Sequence, residues 1–193
     1  MKKIIVTEYV SLDGVIDDPI WIGPYFNDEF LKFKFDELFS GDTLLMGRVT
    51  YSMFVAVWMN ATSADDAPGQ EGFADRVRDM PKYVVSTTLM QTEWNNSHLI
   101  REDVIEAIAA LKDQPGQDIL VAGSGMLVQT LMQHNLVDEY RLLIYPLVLG
   151  KGKRLFQNGG LTTLKLVESQ VFCTGVVALT YQPDRKEYEW RGD

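Results

Sequence analysis

Short β-branched and apolar runs alternate along this chain with stretches whose apolar residues recur every three to four positions. Residues 3–10 form the first run and predict a strand, closed by the turn pair Asp13-Gly14. Residues 15–24 are irregular, with Pro19 and Pro24 on either side of Trp21. Asn27 or Asp28 then caps a predicted helix in which Phe30, Leu31, Lys34 and Leu38 recur near helical spacing, and Gly41 stops it. Residues 43–46 predict a short buried strand running into Gly47-Arg48-Val49-Thr50, and Tyr51, Phe54 and Val55 predict the helix that follows. Phe73, Val77 and Met80 mark two helical turns ended by Pro81, and 83–86 is a further strand. Asp103 to Glu106 matches a capping box opening a helix with Val104, Ile108 and Leu111 on one face. A buried strand over 119–122 leads through Gly123-Ser124-Gly125 into a helix stopped near Asn135 by a left-handed residue. Residues 141–149 read as a strand in which Pro146 marks an edge, a bulge or an end. Two last runs around Cys173-Thr174-Gly175 predict a β-hairpin.

Strands alternating with helices and closed by an antiparallel hairpin predict an α/β fold, a mixed, mostly parallel sheet flanked by helices. The polar stretch 60–72 is expected to be a surface loop or flap within one domain spanning 1–183, followed by a polar tail over 184–193. At 193 residues the chain can bury a substantial core, and 46% apolar with 23% charged residues is a globular balance. No apolar run approaches the roughly 20 residues that span a bilayer. The N-terminal apolar stretch meets Glu8 too soon to serve as a signal sequence, so the expected location is cytoplasmic. A net charge of -9 argues against a nucleic-acid partner. Cys173 is the single cysteine and His98 and His134 the only histidines, which excludes an internal disulfide and a Cys/His zinc centre. No spacing of acids calls for another metal.

Three predicted strand ends carry groups suited to phosphate. Gly123-Ser124-Gly125 stands between a buried strand and a helix, where glycines admit a close approach and the helix N-terminus offers unpaired N–H groups. A tight strand-to-helix turn explains the same residues equally well. The third glycine of a dinucleotide fingerprint would fall at Val128, so an ordinary Rossmann domain is not supported. Gly47, Arg48 and Thr50 form a second such junction, with an arginine fork suited to a 2′-phosphate. A surface arginine paired with an acid is the alternative there. Ser86, Thr87 and Thr88 end a third strand with hydroxyls, as an ordinary polar strand end also would. Together they fit the rule that ligands of open α/β sheets gather at the carboxyl ends of the strands.

The segments LLMGRVTYSMF, YVVSTTL, REDVIEAIAALK, ILVAGSGMLVQTL and VESQVFCTGVVALTYQP occur in the order seen in the dihydrofolate reductase superfamily. SLDGVI and PLVLGKGKRLF resemble the branch holding the reductase domain of riboflavin biosynthesis and its stand-alone relatives, and the likeness runs from about residue 3 to 183. This resemblance implies a dihydrofolate reductase-like fold and an NADPH site. By position, Gly47, Arg48 and Thr50 would hold the adenosine and phosphate end, with Ser86, Thr87 and Thr88 beside the adenine or 2′-phosphate. Gly123, Ser124, Gly125, Met126 and Leu127 would cradle the pyrophosphate, and Tyr9, Ile16 and Ala122 would lie near the nicotinamide.

Folate reductases place a carboxylate on the first helix, and Asp28 or Glu29 falls in about that region, with Asp28 the candidate proton donor beside ordered water. A first-turn acid stabilised by the helix dipole is the competing explanation. Trp21 is a candidate for the substrate pocket, although an aromatic in a loop often only packs. Leu142-Leu143-Ile144 stands where folate enzymes keep a threonine, which speaks against folate. A riboflavin-pathway role is also disfavoured, since that reductase is commonly joined to a zinc deaminase. Cys173, in a hairpin turn without a neighbouring base, is not expected to be a nucleophile. The reading is an NADPH-dependent reductase of a small heterocyclic, carbonyl or imine metabolite, with a homodimer implied by analogy and residues 142–149 as an interface candidate. Its rivals are a nucleotide-binding regulatory or assembly protein without turnover, and a purely structural dimerisation domain.

Overall fold

The computed structural model describes residues 1–157 and 161–184. Its strands are β1 (Ile4–Ser11), β2 (Gly41–Gly47), β3 (Lys82–Val85), β4 (Ser97–Ile100), β5 (Asp118–Val121), β6 (Glu139–Tyr145), β7 (Leu164–Val171) and β8 (Val177–Pro183). The α-helices are α1 (Asp28–Ser40), α2 (Arg48–Trp58), α3 (Phe73–Asp79), α4 (Val104–Lys112) and α5 (Gly125–Gln133). All eight strands join one sheet in the order β4-β3-β2-β5-β1-β6-β8-β7. The first six run parallel, while β8 pairs antiparallel with β6 and with β7. The carboxyl ends of β1, β2, β3 and β5 therefore lie along one rim.

Alternation along the strands sorts the core onto two faces. Ile4, Val6 and Val10 of β1 join Leu45 and Val121 against Ile108 of α4 and Leu127, Val128 and Leu131 of α5. Ile5, Leu44, Met46, Val84 and Leu120 face the other way, against Leu38 of α1, Tyr51 of α2 and Val77 of α3. A third cluster, Phe30 of α1 with Leu143, Tyr145, Phe172 and Val176, closes the hairpin side.

Asn27 is the cap of α1, its side chain accepting from Phe30 N at 2.9 Å. Asn135 ends α5 with φ at 54°, the left-handed stop expected there. The capping box at Asp103 does not form: Asp103 sits at φ 47° and its side chain makes no cap hydrogen bond. Pro146 ends β6, which stops at Tyr145. Within the expected interface run 142–149, Leu142, Leu143 and Tyr145 are buried and β6 is paired by β1 and β8, whereas Pro146 and Val148 are exposed. The edge strand β7 is exposed along nearly its whole length. The 60–72 loop carries a short 3-10 turn, Ser63–Asp65, closed by its own Thr62/Asp65 capping box. Apart from Asp184, the tail expected over 184–193 lies outside the described residues.

Candidate functional site

Two helices begin side by side at the carboxyl rim. Gly47 is the N-cap of α2 and Ser124 the N-cap of α5, and neither end receives a side-chain cap hydrogen bond. Their first-turn N–H groups therefore retain the positive dipole end and unspent donors. The junctions are joined directly, Gly47 N donating to Gly123 O at 3.1 Å and Ala122 N to Leu45 O at 3.3 Å. Glycine is what permits the approach: a Cβ on Gly47 would stand 2.6 Å from Ser124 Oγ. Gly123 has φ at 82°, and a Cβ there would meet Thr50 Oγ1 at 3.1 Å and Glu8 Oε1 at 3.3 Å. Gly125 lies against Ile16, whose Cδ1 would be 2.8 Å from an added Cβ. Residues distant in sequence thus converge on one turn.

Arg48 opens α2, is exposed, and makes no ion pair among the described residues. At the end of β3, beside β2, Ser86 is buried and spends its hydroxyl on its own turn, accepting from Thr88 N at 3.2 Å and Leu89 N at 2.9 Å. Thr87 and Thr88 remain exposed. Met126 is exposed at the rim, whereas Leu127 belongs to the core, so only its backbone faces the turn's chemistry.

Glu8 is a residue that sequence reasoning passed over. Its position in the apolar run IIVTEYV was the available signal. It shares a face of β1 with Val6 and Val10, against the turn at Gly123, and its Oε1 is sealed from solvent without a hydrogen-bond partner among the described residues. Burial raises its carboxyl to about 8, against a smaller opposing pull from Lys34.

The segment after β1 is pinned by the late SLDGVI/PLVLGKGKRLF pairing. Asp13 accepts from Ser11 Oγ at 2.6 Å, Leu149 N at 3.1 Å and Gly150 N at 2.8 Å, and these bonds, the first above all, hold its carboxyl down near 2. Val15 bridges Arg154, and Ile16 N donates to Lys153 O at 2.9 Å. That fixes Ile16 against α5.

On the opposite face, Tyr9 packs against Phe30 and edge-on to Tyr145, with Lys34 Nζ 5.2 Å from its ring centre. Lys34 also donates to Thr7 Oγ1 at 3.2 Å and pairs with Glu37. Burial works against the Lys34 ammonium, but Glu37 and Tyr9 outweigh it and raise its pKa. Trp21 stacks edge-on to Tyr145 at 5.2 Å and donates to Asp17 O at 3.2 Å. Asp28 and Glu29 are exposed and line a surface groove with Lys32, Phe33, Asp36 and Gln170. Glu29 is tied to the hairpin turn, accepting from Cys173 N at 2.7 Å, and Cys173 holds its carboxyl below the ordinary range. That groove lies toward β7, with β1, β6 and β8 between it and β5. The strand-end candidates and Ile16 are brought to one rim; Tyr9 stands across the sheet on the α1 face, and Asp28 and Glu29 stand apart from them all.

The family profile described as the RibD C-terminal domain matches residues 2–178. The chain belongs to the RibD C-terminal domain family. It is 33% identical over 186 residues to the uncharacterised protein YyaP of Bacillus subtilis, covering 93% of this chain and 94% of that one. A putative riboflavin biosynthesis protein from Shewanella sp. PV-4 superimposes with a TM-score of 0.71 at 23% identity, over 95% of this chain and 99% of the other. Dihydrofolate reductase from Enterococcus faecalis, solved in complex with NADP(H) and RAB-propyl, gives a TM-score of 0.61 at 16% identity, over 94% of this chain and 96% of the other. This RibD-family domain therefore has the dihydrofolate reductase-like fold.

Proposed function

We propose that this RibD-family domain is an NADPH-dependent reductase acting on a C=N or C=O bond of a small heterocyclic, carbonyl or imine metabolite. The observation that carries the reading is the meeting of two uncapped helix N-termini across Gly47 and Gly123, beside Arg48, which makes no ion pair among the described residues. Donor-rich backbone that no side chain occupies suits phosphate oxygens. The solved dihydrofolate reductase relative carries NADP(H) on the same fold, which supports the choice of ligand.

In this reading Gly123, Ser124, Gly125, Met126 and Leu127 bind the pyrophosphate through backbone N–H groups. Gly47, Arg48 and Thr50 hold the adenosine and phosphate end. Thr87 and Thr88 offer their hydroxyls to the adenine or 2′-phosphate side, while Ser86 shapes the turn that presents them. Tyr9, Ile16 and Ala122 flank the nicotinamide. Bound there, NADPH supplies a hydride to the substrate. The chain's share is orientation and exclusion of water, for which Ile16 is well placed by the Asp13 and Lys153 contacts. Trp21 borders the substrate end through Tyr145, and a proton comes from Asp28 or from ordered water; the outward position of Asp28 favours water. Relatives named for riboflavin biosynthesis and folate reduction do not decide the substrate. A cytoplasmic homodimer completes the proposal, with the exposed β7 edge and the accessible part of 142–149 as its candidate surface.

The test is thermal protection by NADPH, followed by loss of 340 nm absorbance across a metabolite panel. Protection with turnover of a carbonyl or imine supports the reading. Protection without consumption by any panel member favours the non-catalytic nucleotide-binding alternative, and no protection excludes both.

A further inference from the structure

We infer that Glu8 couples dinucleotide binding to the uptake of a proton, so that the same turn that holds the phosphates discriminates against a charged carboxylate beside it. The inference rests on the placement of the pyrophosphate at residues 123–127 proposed above. Its own ground is the convergence at Gly123. There Glu8 Oε1 and Thr50 Oγ1 come from β1 and α2 to within 3.3 and 3.1 Å of where a Cβ would stand. Thr50 has a hydroxyl to give. Glu8 Oε1 has no hydrogen-bond partner among the described residues and is sealed from solvent.

A carboxylate in that position lies against the same turn that the proposed phosphate would occupy. Two negative groups separated by a glycine backbone, with one oxygen of the half-buried carboxylate sealed from water, repel one another. A neutral carboxyl removes the repulsion. Little else nearby can compensate the charge. Leu142 stands beside Glu8 in the register of β6, and α5 has no ionisable residue from Gly125 to Gln133. The 122–125 turn contributes only Ala, Gly and Ser. Arg48, on the first turn of α2, is exposed, and Asp17 beyond Ile16 is 3.8 Å from Lys153. Lys34 acts on Glu8 from the α1 face but is already engaged by Glu37, and Tyr9 is held neutral by burial. The free protein carries the carboxyl half-protonated near pH 8. A bound phosphate raises that midpoint, so ligand and proton favour one another.

The experiment is calorimetric titration with NADPH between pH 7 and 9.5, in buffers of different ionisation enthalpy, on the wild-type protein and on Glu8→Gln. Above pH 8 the wild-type Kd is expected to weaken by up to about tenfold per pH unit. The buffer dependence is expected to report uptake of between zero and one proton, largest at the alkaline end. In Glu8→Gln both effects should vanish while NADPH still binds. Binding by the wild type with no proton uptake, or an unchanged pH slope in Glu8→Gln, overturns the inference and leaves the cofactor reading standing. Absence of NADPH binding at every pH by folded wild-type protein overturns that reading and this inference with it. Should Glu8→Gln fail to fold, the proton count in the wild type alone decides.

Discussion

The two ends of β1 neighbours are finished in opposite ways. At the α2/α5 junction, both helix starts lack side-chain caps, the closest approaches are between glycines and hydroxyls, and Arg48 has no ion pair among the described residues. Around α1, most polar groups are answered from within: Asn27 caps the helix, Glu29 takes the Cys173 N–H, Lys34 pairs with Glu37 and Trp21 finds Asp17, while Glu37 Oε1 and Tyr145 OH stay buried without a partner among the described residues. Buried polar groups normally find partners, so a rim that leaves donors unspent is either weakly built or built for something absent from the chain. The tight glycine packing argues for the second. The α1 side is a supporting wall; the α2/α5 side offers the donors that the proposed phosphate ligand needs.

Substitutions that fill the junction should break this contrast most. Gly47→Val places its side chain where Ser124 Oγ stands, and NADPH affinity should fall by at least about 100-fold, ~3 kcal/mol, measured by fluorescence titration on protein shown to be folded. Retained affinity would mean that the two helix starts do not hold the phosphates. Trp21→Ala should behave inversely. Loss of its contacts with Tyr145 is expected to cost about 2 kcal/mol of stability by denaturant unfolding, with the NADPH Kd within twofold of wild type. Asn27→Ala, which removes the α1 cap together with the exposed Asn27 contacts to Glu29 and Cys173, should lower stability by ~1 kcal/mol and leave nucleotide binding unchanged. A cofactor effect from either α1-side change would show that the wall is part of the site.

The contrast also explains what the sequence reveals. Strand ends and helix starts are local, so Gly47, Arg48, Thr50 and the 123–125 turn can be picked out from glycines and hydroxyls following apolar runs. Asn135 is legible for the same reason, because a left-handed stop depends on one residue. Strand β4 is not: Ser97–Ile100 includes only two apolar residues and gains its regularity from pairing with β3. The motif at Asp103 has the right letters, yet the chain enters α4 at a positive φ that takes the side chain out of capping geometry. Pairing of Asp13 with Leu149 and Gly150 joins segments 136 or more residues apart, beyond any local pattern. Glu8 is hidden for the same reason, since its isolation is created by a turn at Gly123 far along the chain.

The central claim is that a 2′-phosphorylated dinucleotide lies across the α2/α5 junction with Arg48 at its phosphate end. The direct measurement is the pair of dissociation constants for NADPH and NADH, in wild-type protein and in Arg48→Ala. NADPH should bind the wild type at least about tenfold more tightly than NADH, and Arg48→Ala should erase most of that preference by weakening NADPH alone, a change of about 1.5–3 kcal/mol for a charge-assisted contact. Arg48 is exposed and makes no ion pair among the described residues, so the melting temperature of the free protein should not move. Equal affinities in the wild type, or an Arg48→Ala protein that keeps the preference, would contradict the account.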